Sequence, residues 1–296
     1  MASFRVRKPS ITHHTQLMAD SMDLGGLGSD DDSDDLDLDM GDSTDGEQKE
    51  PSTLYESVLD MCGGPDLIEV FGPSGSGKSV FSTQVLKDAA ARGEKCLFID
   101  TERNINEVDD IDGSDYLYIP EWKDIYYYIR GSGRTVSSNN ISYNTTGSNK
   151  LEDGYDVIVL DSIGFPALVQ YADYRVDNDS DQFQVFLEIE SIFGHLKQYS
   201  QRNDCLIIIT NQPKSDLSDE NDPKPFGDKA IYGAKEVWKT DVKSTNEMAT
   251  NCDVNAFRSR EAGRGKTLFE VKIEDSGVQI EPTYNRSVEE EASDWT

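Results

Sequence analysis

One short segment, Gly72-Pro73-Ser74-Gly75-Ser76-Gly77-Lys78-Ser79, constrains the fold more than any other part of the chain. It matches the pattern G-x-x-x-x-G-K-[ST], in which the backbone N–H groups of a glycine-rich loop surround a phosphate at a helix N-terminus. An apolar run at 67–71 precedes the segment, and residues 80–92 after it have the composition of a helix. A strand, a phosphate loop and a helix in this order predict an α/β fold that binds a nucleotide.

The phosphate loop predicts the chemistry of individual side chains. Lys78 is expected to reach the β- and γ-phosphate oxygens of ATP, and Ser79 to offer its hydroxyl to Mg²⁺. Asp161 ends a second apolar run, 157–160, and is expected to hold the same Mg²⁺. An aspartate that only caps the following helix is the alternative for Asp161. ATP and Mg²⁺ are therefore the predicted ligands.

Hydrophobic patterning extends this fold along the chain. Thr53 and Glu56 have the spacing of a helix capping box, and Gly63-Gly64-Pro65 should end that helix. Further strands are predicted at 96–99, 116–119, 156–161, 206–210, 252–258, 267–273 and 278–281, and further helices at 122–130 and 183–196. Strands that alternate with helices, followed by strands alone, predict a mostly parallel central sheet flanked by helices and finished by C-terminal antiparallel strands.

The charge of the chain is divided unevenly. The net charge is −29, of which residues 1–50 carry −9 and the remainder −20. Residues 1–50 lack the apolar side chains needed to offset ordering entropy and are predicted to be a disordered acidic tail. The ATPase domain is predicted at 51–282, with a flexible insertion rich in Gly, Ser and Asn at 131–153. Residues 283–296 form a second predicted acidic tail.

The acidity of the predicted domain bears on the environment and the partners of the protein. Such a charge argues against bulk electrostatic coating of duplex DNA or of anionic lipid. It is typical of a cytosol at very high salt, where the Debye length is about 3 Å at 1 M, and favours a halophilic archaeon or its virus. An acidic protein from an ordinary cell is the alternative. Without an apolar run of about 18 residues or a signal peptide, we expect a cytoplasmic location, the host cytoplasm if viral, and no membrane partner.

Hydrolysis also requires a group that orients water. In many ATPases of this kind a glutamate follows the strand-end aspartate, but Ser162 occupies that position here. Glu102, which follows the strand at 96–100, is the candidate base and should face the γ-phosphate if that strand neighbours the phosphate-loop strand. Gln212 follows the strand at 206–210 and supplies an amide at the same rim. Surface polar residues without a catalytic role are the alternative for both.

Three segments, 70–102, 156–162 and 207–212, resemble the corresponding motifs of the RecA/RadA recombinase superfamily. The resemblance covers roughly residues 52–282 and implies a RecA-like P-loop NTPase core. It implies that Glu102 polarises the attacking water and that Gln212 couples ATP to a DNA-binding loop beginning at Pro213. It also implies that Arg258 and Arg260 act as arginine fingers in the ATP site of a neighbouring copy, which requires a head-to-tail filament or ring. Two exposed arginines on a hairpin are the alternative.

The sequence departs from this superfamily in its DNA-binding regions. The separate helical DNA-binding domain of RadA proteins is missing, and the expected DNA loops at 164–182 and 213–233 contain few cations among many acids. DNA binding would then depend on base stacking and backbone N–H groups. The aromatic residues available for stacking are Phe165, Tyr171, Tyr174, Phe226 and Tyr232. Ordinary packing is the alternative for these residues.

Three functions follow from the resemblance. The first is an ATP-dependent recombination and repair protein of the RecA/RadA type, similar also to UvsX, that assembles on single-stranded DNA. The second is a RadB-like accessory ATPase that binds DNA weakly and modulates a recombinase partner. The third is a KaiC-like signalling ATPase that forms a ring and does not respond to DNA. The motif set predicts the first function, and the acidic loops and the missing DNA-binding domain are the features that favour the second.

Overall fold

The computed structural model describes residues 53–103, 113–131, 151–177, 182–214, 223–227, 233–246, 248–274 and 276–283. These residues all belong to one compact unit, Lys49–Thr296. The predicted tail 1–50 and all but the first residue of the tail 283–296 lie outside the described residues. The same is true of 132–150 within the predicted insertion, although Leu151 is described and is buried beneath α3, where its N–H donates to the Tyr128 carbonyl.

The described residues form five helices and nine strands. The helices are α1 (Leu54–Cys62), α2 (Lys78–Ala91), α3 (Trp122–Arg130), α4 (Gly164–Asp177) and α5 (Gln182–Asn203). The strands are β1 (Leu67–Phe71), β2 (Cys96–Asp100), β3 (Ser114–Tyr118), β4 (Val157–Asp161), β5 (Leu206–Asn211), β6 (Glu236–Thr245), β7 (Ala249–Arg258), β8 (Thr267–Glu274) and β9 (Gly277–Pro282).

All of these strands belong to a single sheet with the order β3-β2-β4-β5-β1-β6-β7-β8-β9. The strands from β3 to β6 are parallel to one another, whereas β7, β8 and β9 continue the sheet as antiparallel neighbours. The predicted fold class, a mostly parallel sheet finished by C-terminal antiparallel strands, is therefore confirmed. Because the parallel strands share one direction, the residues that follow β1, β2, β4 and β5 meet at one edge of the sheet.

Helices cover both faces of the parallel strands. Side chains of α1 and α2, including Val58 and Phe81, pack with Ile68 and Val70 of β1 in one apolar core. Side chains of α3 and α5 pack with the other face in a second core that contains Ile125 and Phe193. Burial on both faces explains why the central strands read as continuous apolar runs rather than alternating ones.

The capping signals at the start of the domain are confirmed. The Thr53 side chain accepts a hydrogen bond from the backbone N–H of Glu56 at 3.2 Å, which satisfies one of the free donors of the first turn of α1. Gly63 ends the helix with φ 67°, a left-handed conformation that costs glycine little. Among the described residues, the four cysteines are free and buried.

Two elements differ from the sequence prediction. Residues 164–177, predicted to be most of a DNA loop, form helix α4 because Ala167, Leu168 and Tyr171 recur at helical spacing and pack against the core. Strand β6 was not predicted, because charged residues alternate with Val237, Trp238 and Thr240 along it. It nevertheless pairs with β1 in parallel and supports the phosphate loop from one side.

Candidate nucleotide site

The phosphate loop lies between β1 and α2, at the carboxyl edge of the sheet. Gly75 and Gly77 have φ of 76° and 84°, so the loop curls through backbone conformations that other residues rarely adopt. Gly77 is the N-cap of α2, and Lys78 and Ser79 are its first two residues. Their backbone N–H groups therefore lie at the positive end of the helix dipole, where a phosphate is stabilised.

Strand β6 holds the back of the loop in place. The Ser76 and Thr240 hydroxyls are 2.5 Å apart, and the Ser76 hydroxyl also donates to the Pro73 carbonyl at 2.7 Å. A Cβ atom on Gly72 would lie 2.1 Å from the Thr240 Oγ1 and 2.5 Å from its carbonyl oxygen. Position 72 therefore excludes any side chain, and Thr240 is a supporting residue that the sequence patterning did not identify.

Lys78 is half-buried at the mouth of this loop. Its ammonium group donates to the carbonyl oxygens of Gly72 and Pro73, both at 2.8 Å. Burial lowers the pKa of Lys78, and the nearby carboxylates of Asp161 and Glu102 oppose that shift. The Lys78 ammonium group thus lies among backbone carbonyls and near two acids, within the space where phosphate oxygens would bind.

Asp161, the last residue of β4, is buried beside Ser79. Its Oδ1 accepts a hydrogen bond from the Thr210 hydroxyl, whereas its buried Oδ2 has no hydrogen-bond partner among the described residues. Burial raises the pKa of Asp161, while hydrogen bonds from Thr210 and Ser79 act in the opposite direction. A buried carboxylate oxygen without a donor fits a cation ligand, because cation binding would offset its desolvation.

The donor set at this position fits Mg²⁺ rather than a closed metal cage. Among the residues that the structure describes, no group of three or more His, Cys, Asp or Glu side chains could hold a metal ion. Mg²⁺ is commonly bound by one or two protein oxygens together with water and substrate phosphates. The Ser79 hydroxyl and the Asp161 carboxylate would supply the protein ligands.

Glu102 reaches the same site from β2. The condition given for this placement, that β2 neighbours the phosphate-loop strand, is not met, because β4 and β5 lie between β2 and β1. Asp100 of β2 pairs with Asp161 of β4, so the residues that follow both strands emerge side by side. The carboxylate of Asp100 accepts hydrogen bonds from the backbone N–H groups of Glu102 and Arg103 at 3.0 and 2.7 Å, and this turn directs the chain toward the phosphate loop.

Ser162 connects the two strand ends. The Ser162 hydroxyl donates to Oε1 of Glu102, and the Ser162 N–H donates to the Thr101 hydroxyl at 2.9 Å. The Thr101 hydroxyl in turn donates to the Ser162 carbonyl at 2.8 Å, and the Thr101 N–H donates to the Asp161 carbonyl. The carboxylate of Glu102 is therefore fixed by the serine that occupies the expected position of the base.

A cavity of about 330 Å³ brings most of the predicted site together. Its lining comprises Ser74, Gly75, Gly77, Lys78, Ser79, Val80, Glu102, Asp161, Ser162, Gln212 and Ile273. The predicted loop residues Gly72 and Ser76 lie behind this lining, where they face β6. Ile273 of β8, which was not singled out in the sequence, contributes an apolar wall. The cavity thus combines a cation, two carboxylates, three serine hydroxyls and an amide in the space of a few phosphate groups.

Arg258 and Arg260 lie away from this cavity. Arg258 pairs with Val237 of β6, which in turn pairs with Glu69 in the middle of β1. Arg258 donates to the Ala234 carbonyl at 2.8 Å, and Arg260 forms an ion pair with Asp66. Both arginines have partners within their own chain, and their predicted role in a neighbouring copy's site stays a prediction.

The aromatic residues predicted to stack on DNA bases have different environments. Tyr171 and Phe226 pack with Phe186 in a cluster whose ring centroids lie 5.5 to 6.0 Å apart. The Lys123 ammonium lies 5.5 Å above the Tyr174 ring. Phe165 is 47% exposed, and Tyr232 lies outside the described residues. Packing within the domain therefore accounts for Tyr171 and Phe226.

Comparisons with known proteins agree with this geometry. A family model described as an AAA domain matches residues 67–191. The DNA repair and recombination protein RadB of Methanobrevibacter smithii is 29% identical over 71% of this chain and 86% of its own length. RadB of Methanococcoides burtonii is 24% identical over 77% of this chain and 99% of its own length. RecA of Marinobacter nauticus is 24% identical, but the match spans 49% of this chain and 39% of RecA.

A solved structure supports the same fold. The crystal structure of the RadB recombinase superposes with a TM-score of 0.51 at 20% identity and covers 75% of this chain and 95% of that one. Together these comparisons support a RecA/RadB-like superfamily of P-loop ATPases, with nucleotide binding as its general property. Within the described part of the chain, the helices are too short or too polar to cross a bilayer.

Proposed function

We propose that this chain hydrolyses ATP in the service of DNA recombination and repair, as a RadB-like ATPase. The convergence of Lys78, Ser79, Glu102, Asp161 and Gln212 on one cavity carries the proposal. These side chains reach the cavity from four places, the start of α2 and the ends of β2, β4 and β5, and a structural role alone does not require that they meet.

The proposed roles follow from the positions of the side chains. The phosphate-loop N–H groups and Lys78 bind the β- and γ-phosphates and stabilise the negative charge that develops on them. Mg²⁺, held by Ser79 and Asp161, would neutralise phosphate charge when bound. Glu102 accepts a proton from the attacking water, and the Ser162 hydroxyl holds the Glu102 carboxylate in the required orientation.

Gln212 is proposed to couple the presence of a bound nucleotide to the position of the segment that follows it. Its side chain lines the cavity, and its carbonyl accepts a hydrogen bond from the Phe226 N–H at 2.8 Å. Movement of Gln212 toward a γ-phosphate would therefore displace residues 213–214 and 224–225 of the segment that follows β5. That segment is the proposed contact with single-stranded DNA or with a partner recombinase.

Two observations favour a RadB-like accessory protein over a recombinase that acts alone. The RadB relatives match over most of their own length, whereas RecA matches over less than half of its length. Tyr171 and Phe226, which would otherwise stack on bases, are packed within the domain. A recombinase that forms filaments on single-stranded DNA remains the second candidate, supported by the exposed ring of Phe165.

The two functions differ in their response to DNA. We expect ATP hydrolysis in molar KCl, with a rate that single-stranded DNA raises only weakly, and a stable complex with a full-length recombinase. Strong stimulation by DNA together with filaments in electron micrographs would favour the second candidate. A protein that binds ATP but ignores both DNA and the recombinase would contradict both functions and favour a KaiC-like signalling ATPase.

A further inference from the structure

A carboxylate and an amide are paired in the core of the central sheet. Glu69 lies in the middle of β1, and Asn211 is the last residue of the neighbouring strand β5. The amide nitrogen of Asn211 donates to Oε1 of Glu69 at 2.7 Å, and both residues are fully buried. Burial of such groups is unfavourable unless they are hydrogen-bonded, and packing alone would be served as well by apolar residues.

The remaining hydrogen bonds of Asn211 hold the two ends of one segment together. Its Nδ2 also donates to the Phe226 carbonyl at 3.0 Å, and its Oδ1 accepts from the Gln212 N–H at 2.7 Å. The backbone closes the same junction, because the Lys214 N–H donates to the Lys224 carbonyl at 2.7 Å. We call residues 212–214 and 224–226 the loop base. The side chain of Asn211 bonds to both halves of the loop base and to β1.

The start of α4 also packs against this amide. A Cβ atom on Gly164 would lie 2.5 Å from the Asn211 Oδ1 and 2.8 Å from the Gln212 N–H nitrogen. Gly164 follows β4 closely, after Asp161 and Ser162 of the candidate site. The strand that enters the phosphate loop, the segment that follows Asp161 and the loop base therefore meet at Asn211.

We infer that Asn211 is a positioning residue that transmits the nucleotide state of the cavity to the loop base, and that Glu69 fixes its orientation. This inference rests on the proposed function, because it requires Gln212 to respond to a bound nucleotide. Glu69 provides a rigid reference, since it lies on a central strand three residues before Gly72. A shift of Gln212 changes the bond between its N–H and Asn211, and the amide of Asn211 carries that change to Phe226.

Hydrogen exchange measured with and without a non-hydrolysable ATP analogue and Mg²⁺ tests this inference. In the wild-type protein we expect the analogue to change the hydrogen-exchange rates of the backbone amides in the loop base by about tenfold, the equivalent of roughly 1.4 kcal/mol. Backbone amides in the interior of β5 serve as the internal reference. If the analogue binds and the loop base does not respond, the inference is overturned without any variant, while nucleotide binding by the site still stands.

Variants then separate positioning from general stability. Asn211→Ala should bind the analogue within about threefold of the wild-type affinity but lose the response of the loop base, since its three side-chain hydrogen bonds are removed. Glu69→Gln should keep the response, because a glutamine carbonyl accepts the same hydrogen bond. Ser200→Ala, a truncation of a buried serine on α5, controls for loss of a core polar group.

The outcomes of these variants are distinct. An Asn211→Ala protein that folds, binds the analogue and retains the full response contradicts the inference, as does a Ser200→Ala protein that loses the response. If Asn211→Ala does not fold, the comparison of Glu69→Gln with Glu69→Leu takes its place, and an unchanged response in Glu69→Leu is the contradicting result. A wild-type protein that fails to bind the analogue refutes the proposed function instead.

Discussion

The carboxylate of Glu102 accepts a hydrogen bond from the hydroxyl of Ser162, and the two residues follow different strands of the sheet. The contact exists because Asp100 and Asp161 are paired in register at the ends of β2 and β4. Ser162 occupies the place where many related ATPases have a glutamate, and here it orients a glutamate supplied by the neighbouring strand. The proposed base and the residue that orients it therefore follow two different strands.

Loss of the Ser162 hydroxyl should slow hydrolysis without weakening nucleotide binding. A hydrogen bond to a charged group contributes about 1.5–3 kcal/mol, so we expect Ser162→Ala to lower kcat by about 10- to 100-fold with little change in KM. Ser162→Thr keeps a hydroxyl and should recover much of the rate. Steady-state kinetics check this, with Ser200→Ala as the control. If Ser162→Ala and Ser162→Thr lower kcat equally, the Ser162 hydroxyl is not what supports hydrolysis.

Asp161→Asn should separate stability from metal binding. Because burial raises the pKa of Asp161, folding favours its protonated form, and the wild-type chain loses stability as the pH rises through that raised pKa. The nucleotide-free variant should therefore melt at a higher temperature than the wild type at about pH 8, and the difference should shrink in acid. Each kcal/mol corresponds to roughly 2–4 °C for a domain of this size.

The same variant should lose the Mg²⁺ dependence of nucleotide binding, which a titration with a fluorescent ATP analogue measures with and without the metal. Thr210→Val is the matched comparison, because it removes a hydrogen bond that lowers the pKa of Asp161 and leaves the carboxylate in place. Thr210→Val should therefore shift the pH range in which Mg²⁺ strengthens nucleotide binding to higher pH. An Asp161→Asn protein that melts at a lower temperature and still responds to Mg²⁺ would contradict the assignment.

Gly72→Ala should disrupt the phosphate loop through its contact with β6. The added methyl group would meet both the side chain and the backbone of Thr240, and the backbone cannot move without shifting the strand. We expect nucleotide affinity to fall by at least about tenfold, the effect of roughly 1.4 kcal/mol. Gly194→Ala is the control, since a Cβ atom there meets nothing within 4 Å and the helix should be stabilised by about 0.5–1 kcal/mol. Isothermal titration of both variants with nucleotide checks this prediction. If Gly72→Ala binds the nucleotide as tightly as Gly194→Ala does, the packing argument is refuted.

Mixing two inactive variants tests whether Arg258 and Arg260 act in a neighbouring copy. Lys78→Ala removes the phosphate contact but keeps the arginines, whereas the double variant Arg258→Ala/Arg260→Ala keeps the phosphate loop. If the arginines act in trans within a head-to-tail assembly, a site is active when one copy supplies an intact Lys78 and its neighbour supplies intact arginines. In an equal mixture about a quarter of the sites meet both conditions, so about a quarter of the wild-type rate should be recovered. If the mixed variants assemble together and hydrolysis does not recover, the trans role is contradicted. Arg258 and Arg260 would then serve only the contacts within their own chain, to the Ala234 carbonyl and to Asp66.

Most of the site could be predicted from the sequence because its residues follow apolar strands or belong to a contiguous motif. The loop from Gly72 to Ser79, together with Asp161, needs only local patterning to be found. Glu102 was expected to face the γ-phosphate on the condition that β2 neighbours β1, and that condition is not met. Glu102 reaches the cavity because parallel strands in register bring their ends to one edge, even with two strands between them.

The parts that were missed depend on tertiary contacts. Thr240 supports the phosphate loop from β6, which is distant from the loop in sequence. The charged residues of β6 interrupt its apolar pattern, so the strand was not predicted. Glu69 and Asn211 lie within apolar strands, and the sequence does not reveal that they face each other across β1 and β5. Helix α4 was predicted as a loop because a resemblance to DNA-binding regions outweighed the helical spacing of its apolar residues.

The most direct test of the central claim is a single-turnover measurement of ATP hydrolysis by Glu102→Gln and wild-type protein, each in excess over ATP so that all of the nucleotide is bound, with saturating Mg²⁺ in molar KCl. Glutamine fills the same space and can still accept the Ser162 hydroxyl, but it cannot take a proton from water. We predict that the variant binds ATP normally and hydrolyses it about 10²- to 10⁴-fold more slowly, the usual contribution of a general base. Glu190→Gln, on the exposed face of α5, should hydrolyse ATP at the wild-type rate. A normal rate of hydrolysis in Glu102→Gln would contradict the assignment of this site.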